Sequence, residues 1–318
     1  MSTSVVGLLC LAFFAISQGV RDALFGNVFQ SVSIFLVASL AFGACSIVFV
    51  ALTLYRRGGD IKILARHPIA FLALNATTAI AWLSFFFGLK FLEPAVVATL
   101  YNGIGPITVL VIEALGWTAT RARPAVLEWL CYGGIAGALA ALAAVVLSNR
   151  SGLATSDLAV QSAALFAVVL GDAMITISHM IARWFNDKGA SSNAVTGTRF
   201  LITLAAAIGF EVAIGPPLSP STAQGLLLLT GTAFALIVIP AYVIQLGIAR
   251  ASPLAVNVIR ALGPVSVFAF QQIDGRLQFS GPTLICVMAF CVSAIGASLF
   301  RAWNEVKSAS IPVTEKAG

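Results

Sequence analysis

Charge is scarce in this chain of 318 residues: Asp, Glu, Lys and Arg together make up 9%, where a soluble globular domain carries about 25%. A surface this poor in charge cannot face water on all sides, which excludes an ordinary soluble domain. Histidine is rarer still, with His67 and His179 alone. The five cysteines (Cys10, Cys45, Cys131, Cys286 and Cys291) stand in apolar runs without the spacing of metal ligands. No metal centre is expected, and the cysteines read as small packing residues. A Walker phosphate loop is missing, so ATP does not drive the protein directly. A Gly-x-Ser-x-Gly elbow is missing too, and no cofactor is implied. The opening run "MSTSVVGLLCLAFFAISQG" lacks the basic n-region of a signal peptide and reads as a membrane-spanning helix.

What the chain has is apolar length. Hydrophobic residues make up 59% and mean hydropathy is +1.00, in runs that meet the roughly 20 residues needed to cross a bilayer core. Ten spans are expected, near 4–20, 31–55, 68–90, 94–112, 124–148, 157–182, 192–214, 222–248, 253–272 and 281–301. The fold class is all-α integral membrane. Residues 304–318 form a solvated cytoplasmic tail. The net charge of +6 does not point to nucleic acid, because the basic residues sit mostly in short loops. Of the 18 Lys and Arg, Arg21, Lys90, Arg150 and Arg276 fall on one side, Arg199 and Arg260 fall within spans, and the other twelve lie on the side of the chain ends. That bias places both termini in the cytoplasm, as in a multi-pass protein of the cell (inner) membrane. The partners implied are the lipid bilayer and a small-molecule substrate, and the pattern does not separate a monomer from a homodimer.

Two stretches repeat. "GLKFLEPAVVATLYNGIGPITVLV" at 88–111 matches "GIARASPLAVNVIRALGPVSVFA" at 247–269. Gly105-Pro106 aligns with Gly263-Pro264 at a spacing of 158, and Pro94 with Pro253 at 159. "AISQ" at 15–18 echoes "TISH" at 176–179. Residues 1–150 and 151–303 then form two units of five spans. An odd number of spans per unit makes the second copy run in the opposite sense. Inverted repeats of this kind enclose a central cavity with a binding site near the midplane.

In these features the chain resembles the drug/metabolite transporter superfamily, in its EamA-like ten-helix branch. The resemblance is carried by the proline-led fourth and ninth spans with their Gly-Pro phrases and by "TRF" at 198–200 in the seventh. It implies a secondary carrier of amino acids, metabolites or drugs, often an exporter. Two features depart from that pattern. The region after the fourth span reads "GWTATRAR" without an acid, while Glu113 stands earlier and Asp274 in "IDGRLQ" is displaced. The first unit also lacks a counterpart of Arg199.

A proline within a helix leaves the carbonyl four residues earlier unbonded. For Pro106 that carbonyl is Asn102's and for Pro264 it is Arg260's, and lipid tolerates a bare acceptor only beside protein or a wet cavity. Each unit thus combines a kink, an acceptor and a polar side chain. Arg260 reads either as a cation facing a carboxylate or as a side chain snorkelling to the interface. Asn257 shares its helix face. Asn102 and Tyr101 stand at the matching level of the fourth span, Asn75 and Trp82 on one face of the third, and Tyr242 and Gln245 beside the kink at Pro240 in the eighth. These eight residues are the candidate substrate contacts. Asp172 and His179, seven apart in the sixth span, are candidates for proton coupling, with an ion pair to Arg199 or Arg260 as the alternative for Asp172. Gln18, Arg21 and Asp22 are expected at the interface. The leading expectation is a secondary exporter of amino acids working by alternating access between the two units. A proton-coupled exporter of cationic drugs is the alternative, followed by a membrane enzyme acting on lipid headgroups.

Overall fold

The structure, a computed structural model, describes residues 3–57, 60–116, 125–153, 157–214, 223–248 and 250–309. Helix accounts for 86%, and no strand occurs among the described residues. Backbone donors and acceptors are therefore satisfied within helices, as a lipid environment demands. Ten helices are long and apolar enough to cross a membrane. The protein is a multi-pass helical membrane protein.

The first five spans are Val5–Val28, Ile34–Arg56, Pro68–Phe91, Pro94–Ala114 and Val126–Leu147. The second five are Leu158–Asp187, Ser192–Ile214, Gln224–Ile244, Leu254–Gln271 and Gly281–Asn304. A short helix, Asp60–Ala65, links the second span to the third. Crossing ten times brings the start of the first span and the end of the tenth to one face, the end face. The opposite face carries the links after the first, third, fifth, seventh and ninth spans.

The spans differ from their sequence boundaries where polar residues occur. The first helix does not end near residue 20 but runs on to Val28. Arg21 Nε donates to Asp22 Oδ1 at 2.6 Å, so the two charges neutralise each other inside the protein. Both are buried, as is Gln18, rather than interfacial. The last helix likewise continues to Ala309, into the expected tail, and 310–318 lie outside the described residues. The seventh span breaks between Ser192–Thr198 and Leu201–Ile214. The three kinks also take different forms. Pro106 sits within a continuous helix, Pro240 follows a π-helical segment at Phe234–Val238, and Pro264 lies just past a break between Pro253–Ala261 and Gly263–Gln271. At that break the Cys291 thiol donates to the Ala261 carbonyl at 3.0 Å.

The packing has a regular pattern. The sixth span packs on the third and fourth, while the first packs on the eighth and ninth. The second and seventh, fourth and ninth, and fifth and tenth spans touch in pairs. Moving five spans along the chain converts each of these relations into another of the set. Small residues let the backbones approach, the usual means of helix association where lipid offers no hydrophobic drive. A Cβ on Gly197 would lie 2.8 Å from the Val50 backbone nitrogen. Gly197→Val therefore forces the second and seventh spans apart. The expected cost is about 1–3 kcal/mol, typical of overpacking, seen as a lower melting temperature of the purified protein.

Candidate functional site

The fourth span shows where the interior changes character. From Pro94 to Leu100 every residue is buried. From Asn102 onward Gly105, Pro106 and Val109 line a cavity of about 440 Å3 that reaches Arg183 and Arg301, toward the end face. The ninth and tenth spans change in the same way. Val267, Phe268 and Gln271 are buried, as are Thr283, Cys286 and Val287, whereas Asn257, Arg260, Ala297 and Ser298 line the cavity. The fifth span adds Tyr132 and Ile135, and the sixth adds Asp172, Thr176 and His179.

The electrostatics of the cavity are lopsided. Arg183, Arg260 and Arg301 line it together with one carboxylate among the described residues, Asp172. That carboxylate is already engaged, because its Oδ2 accepts the Gly105 N–H at 2.6 Å. The hydrogen bond satisfies a backbone donor at the Pro106 kink and fixes the carboxylate against the fourth span. Arg260 and Asp172 attract each other, yet Arg260 has no hydrogen-bond or ion-pair partner among the described residues. Its side chain is exposed and lies within the cavity lining, so the exposure is to the cavity. Asn257 and His179 are exposed there too. Asn102 turns its amide back onto the Ala98 carbonyl at 2.7 Å, which leaves its side-chain oxygen outside that bond.

Of the residues singled out in the sequence, the structure brings Asn102, Asn257, Arg260, Asp172, His179 and Pro106 around this cavity. Tyr101, Trp82, Asn75, Tyr242, Pro240 and Pro264 lie outside its lining. The side chain of Gln245 falls outside the described residues. Trp82 stacks edge-on against Phe42 at 5.1 Å, and Tyr101 packs on Phe85 at 4.7 Å. Arg21 sits over the Phe85 ring at 5.1 Å and near Trp82 at 5.9 Å. Tyr242 is exposed on the eighth span, with its ring 6.1 Å from Phe49. Arg199 is hydrogen-bonded to Thr78 at 3.3 Å and Ser178 at 2.8 Å, away from Asp172.

Asn75 has a structural task. Its Oδ1 accepts from Leu201 N at 3.0 Å and Ile202 N at 3.4 Å, capping the second piece of the broken seventh span. Removing a partner from buried backbone donors costs about 1–3 kcal/mol. Asn75→Ala should therefore lower the melting temperature while leaving ligand affinity unchanged, a contrast that isothermal titration reads directly.

A second polar centre, not singled out in the sequence, lies on the face opposite the chain ends. Glu93, 1% exposed, stands between the third and fourth spans. Its Oε2 accepts from Gly152 N at 2.7 Å and from Thr283 Oγ1 at 3.0 Å, and its Oε1 from Gln271 Nε2 at 2.5 Å. Gln271 Oε1 in turn accepts from Ala95 N at 2.9 Å. Burial raises the Glu93 carboxyl above its ordinary range, against the pull of these three donors. An acid directly before a span-opening proline was its only trace in the sequence.

No protein-family model and no curated protein matches this chain. A solved crystal structure is similar to it with a TM-score of 0.63 and 19% identity, over 93% of this chain and 97% of the other. At that identity the likeness is one of fold, and it extends over nearly the whole ten-span architecture.

Proposed function

We propose that this chain is a secondary transporter of the drug/metabolite type, carrying small amino acids out of the cell by alternating access. The observation that carries the reading is Arg260, an exposed guanidinium without a bonded partner among the described residues, in the same cavity as Asp172. A fixed cation and a fixed anion lining one cavity suit a zwitterion: carboxylate to Arg260, ammonium to Asp172. A volume of about 440 Å3 falls within the roughly 300–1,000 Å3 usual for small-molecule sites. A cationic drug would meet three arginines, which argues against the alternative exporter.

The packing supports two opposed five-span units, 1–150 and 151–303, because its contacts recur when each span is exchanged for the one five later. The bodies best suited to move are bundles drawn from both units. The third, fourth and sixth spans form one, and the first, eighth and ninth form the other. Gly19 lies so close to Ser266 that a Cβ would fall 2.9 Å from its carbonyl carbon, so the first and ninth spans move together. In this reading the end face is cytoplasmic and the cavity is loaded from inside. Flux of single amino acids from proteoliposomes tests the proposal, with organic cations as the opposing panel. Saturable amino-acid flux supports it, and cation flux without amino-acid flux overturns it.

A further inference from the structure

The same position in the two units behaves differently at the two faces. Pro94 aligns with Pro253, so Glu93 aligns with Ser252. Ser252 caps its own helix, accepting from Ala255 N at 3.2 Å, and is exposed at the face where the cavity opens. Glu93 makes no cap bond to its own helix. It reaches instead to the end of the ninth span through Gln271, to the tenth through Thr283, and to the link between the units through Gly152. Gln271 supplies the missing cap to Ala95 in return. The hub continues from Thr283, whose backbone N–H donates to Ser280 Oγ at 3.2 Å, and from the Ser280 hydroxyl to the Arg150 carbonyl at 2.7 Å. Gln278 N also donates to the Gly152 carbonyl at 2.9 Å. Glu93, Gln271, Ser280 and Thr283 are all more than nine-tenths buried.

We infer that the Glu93 hub is the gate of the closed face, a bolt between the two bundles that must part before solute can leave on that side. The gate rests on the transport reading. Three features support it: the Glu93–Gln271 bond joins the two bundles while those to Thr283 and Gly152 tie in the tenth span and the link between the units, the bonds cluster at the face away from the cavity mouth, and solid packing from Pro94 to Leu100 separates them from Asn102. A carboxylate accepting from three separate elements holds all of them at once. Losing it releases all three together.

The test places a reporter cysteine at Asn102 (Asn102→Cys) in reconstituted vesicles. Its labelling by a membrane-impermeant maleimide is timed from the Glu93 face, against protein lacking the added cysteine. Glu93→Gln sets an amide donor against either the Gln271 amide or the Gly152 N–H, whichever way the amide turns. Gly152→Ala deletes no polar group but drives a methyl into the Gln278 carbonyl and to 3.3 Å from the Glu93 carboxyl carbon, a wedge in the hub. Each should speed labelling from that face on the order of tenfold, the shift that one net hydrogen bond commands in a two-state balance. Gly281→Ala, where a Cβ meets nothing within 4 Å, should leave the rate alone. A purely structural hub would lower melting temperature without changing the rate from one face. If the folded Gly152→Ala variant labels no faster than the reporter alone, the gate is wrong, whatever becomes of Glu93→Gln. Absence of amino-acid flux in the unmodified protein would instead strike the transport reading, leaving the labelling comparison intact.

Discussion

On the proposed transport reading, Arg260→Ala is expected to abolish most amino-acid binding and transport while leaving the fold intact. The side chain makes no hydrogen bond or ion pair with another described residue, so its removal leaves no buried partner unsatisfied. What is lost is a charge-assisted bond to the solute carboxylate, worth about 1.5–3 kcal/mol, a fall of roughly 10- to 150-fold in affinity. Titration calorimetry on detergent-purified protein reads the loss, and proteoliposome flux reads its consequence. Arg260→Lys keeps the charge but not the planar fork, so it should recover only part of the affinity. Full transport by Arg260→Ala would remove this residue from the site.

The second large effect belongs to Asp172 and is selective. In Asp172→Asn the side-chain oxygen can still accept the Gly105 N–H that Asp172 holds at 2.6 Å, so the Pro106 kink stays satisfied and the helix stays in place. The negative charge disappears. An amino acid should lose about 10- to 100-fold in affinity, as expected when a charged hydrogen bond to its ammonium is removed. The matching carboxylic acid without the amine should bind the variant at least as well as the native protein, because Arg260 no longer shares its field with a carboxylate. Parallel titrations with the amine-bearing and amine-free compounds separate the roles of the two charges. Equal loss for both would show that Asp172 shapes the cavity rather than reading the ammonium.

Much of the architecture was legible because membrane insertion imposes one-dimensional rules. Apolar length sets the spans, and proline at Pro94 and Pro253 marks helix starts. The first span was underestimated because Arg21 and Asp22 look like an interface when read singly, and only a neighbour-to-neighbour pair inside the fold cancels them. The site was legible in part. Arg260, Asn257, Asn102, Asp172 and His179 each stand out as polar in apolar surroundings, and all five line the cavity. Trp82, Tyr101, Asn75 and Tyr242 stand out equally by that standard and lie elsewhere. A polar or aromatic residue in a span serves a cavity, a helix break or an aromatic cluster with the same local sequence, since helix periodicity does not say which neighbour occupies which face.

As a linear string, the chain already specified ten apolar lengths fit to cross a membrane, a Gly-Pro phrase recurring at a spacing of 158, and a polar side chain beside the helix bond that each phrase breaks. These follow from solvent and backbone chemistry acting locally. Three-dimensional packing set the rest. It placed the cavity among the fourth, fifth, sixth, ninth and tenth spans, turned Asp172 onto Gly105 rather than Arg260, and let Glu93 join elements up to 190 positions apart. Those outcomes depend on which helices meet and at what depth. In a chain apolar on most sides of every helix, local sequence cannot make that choice.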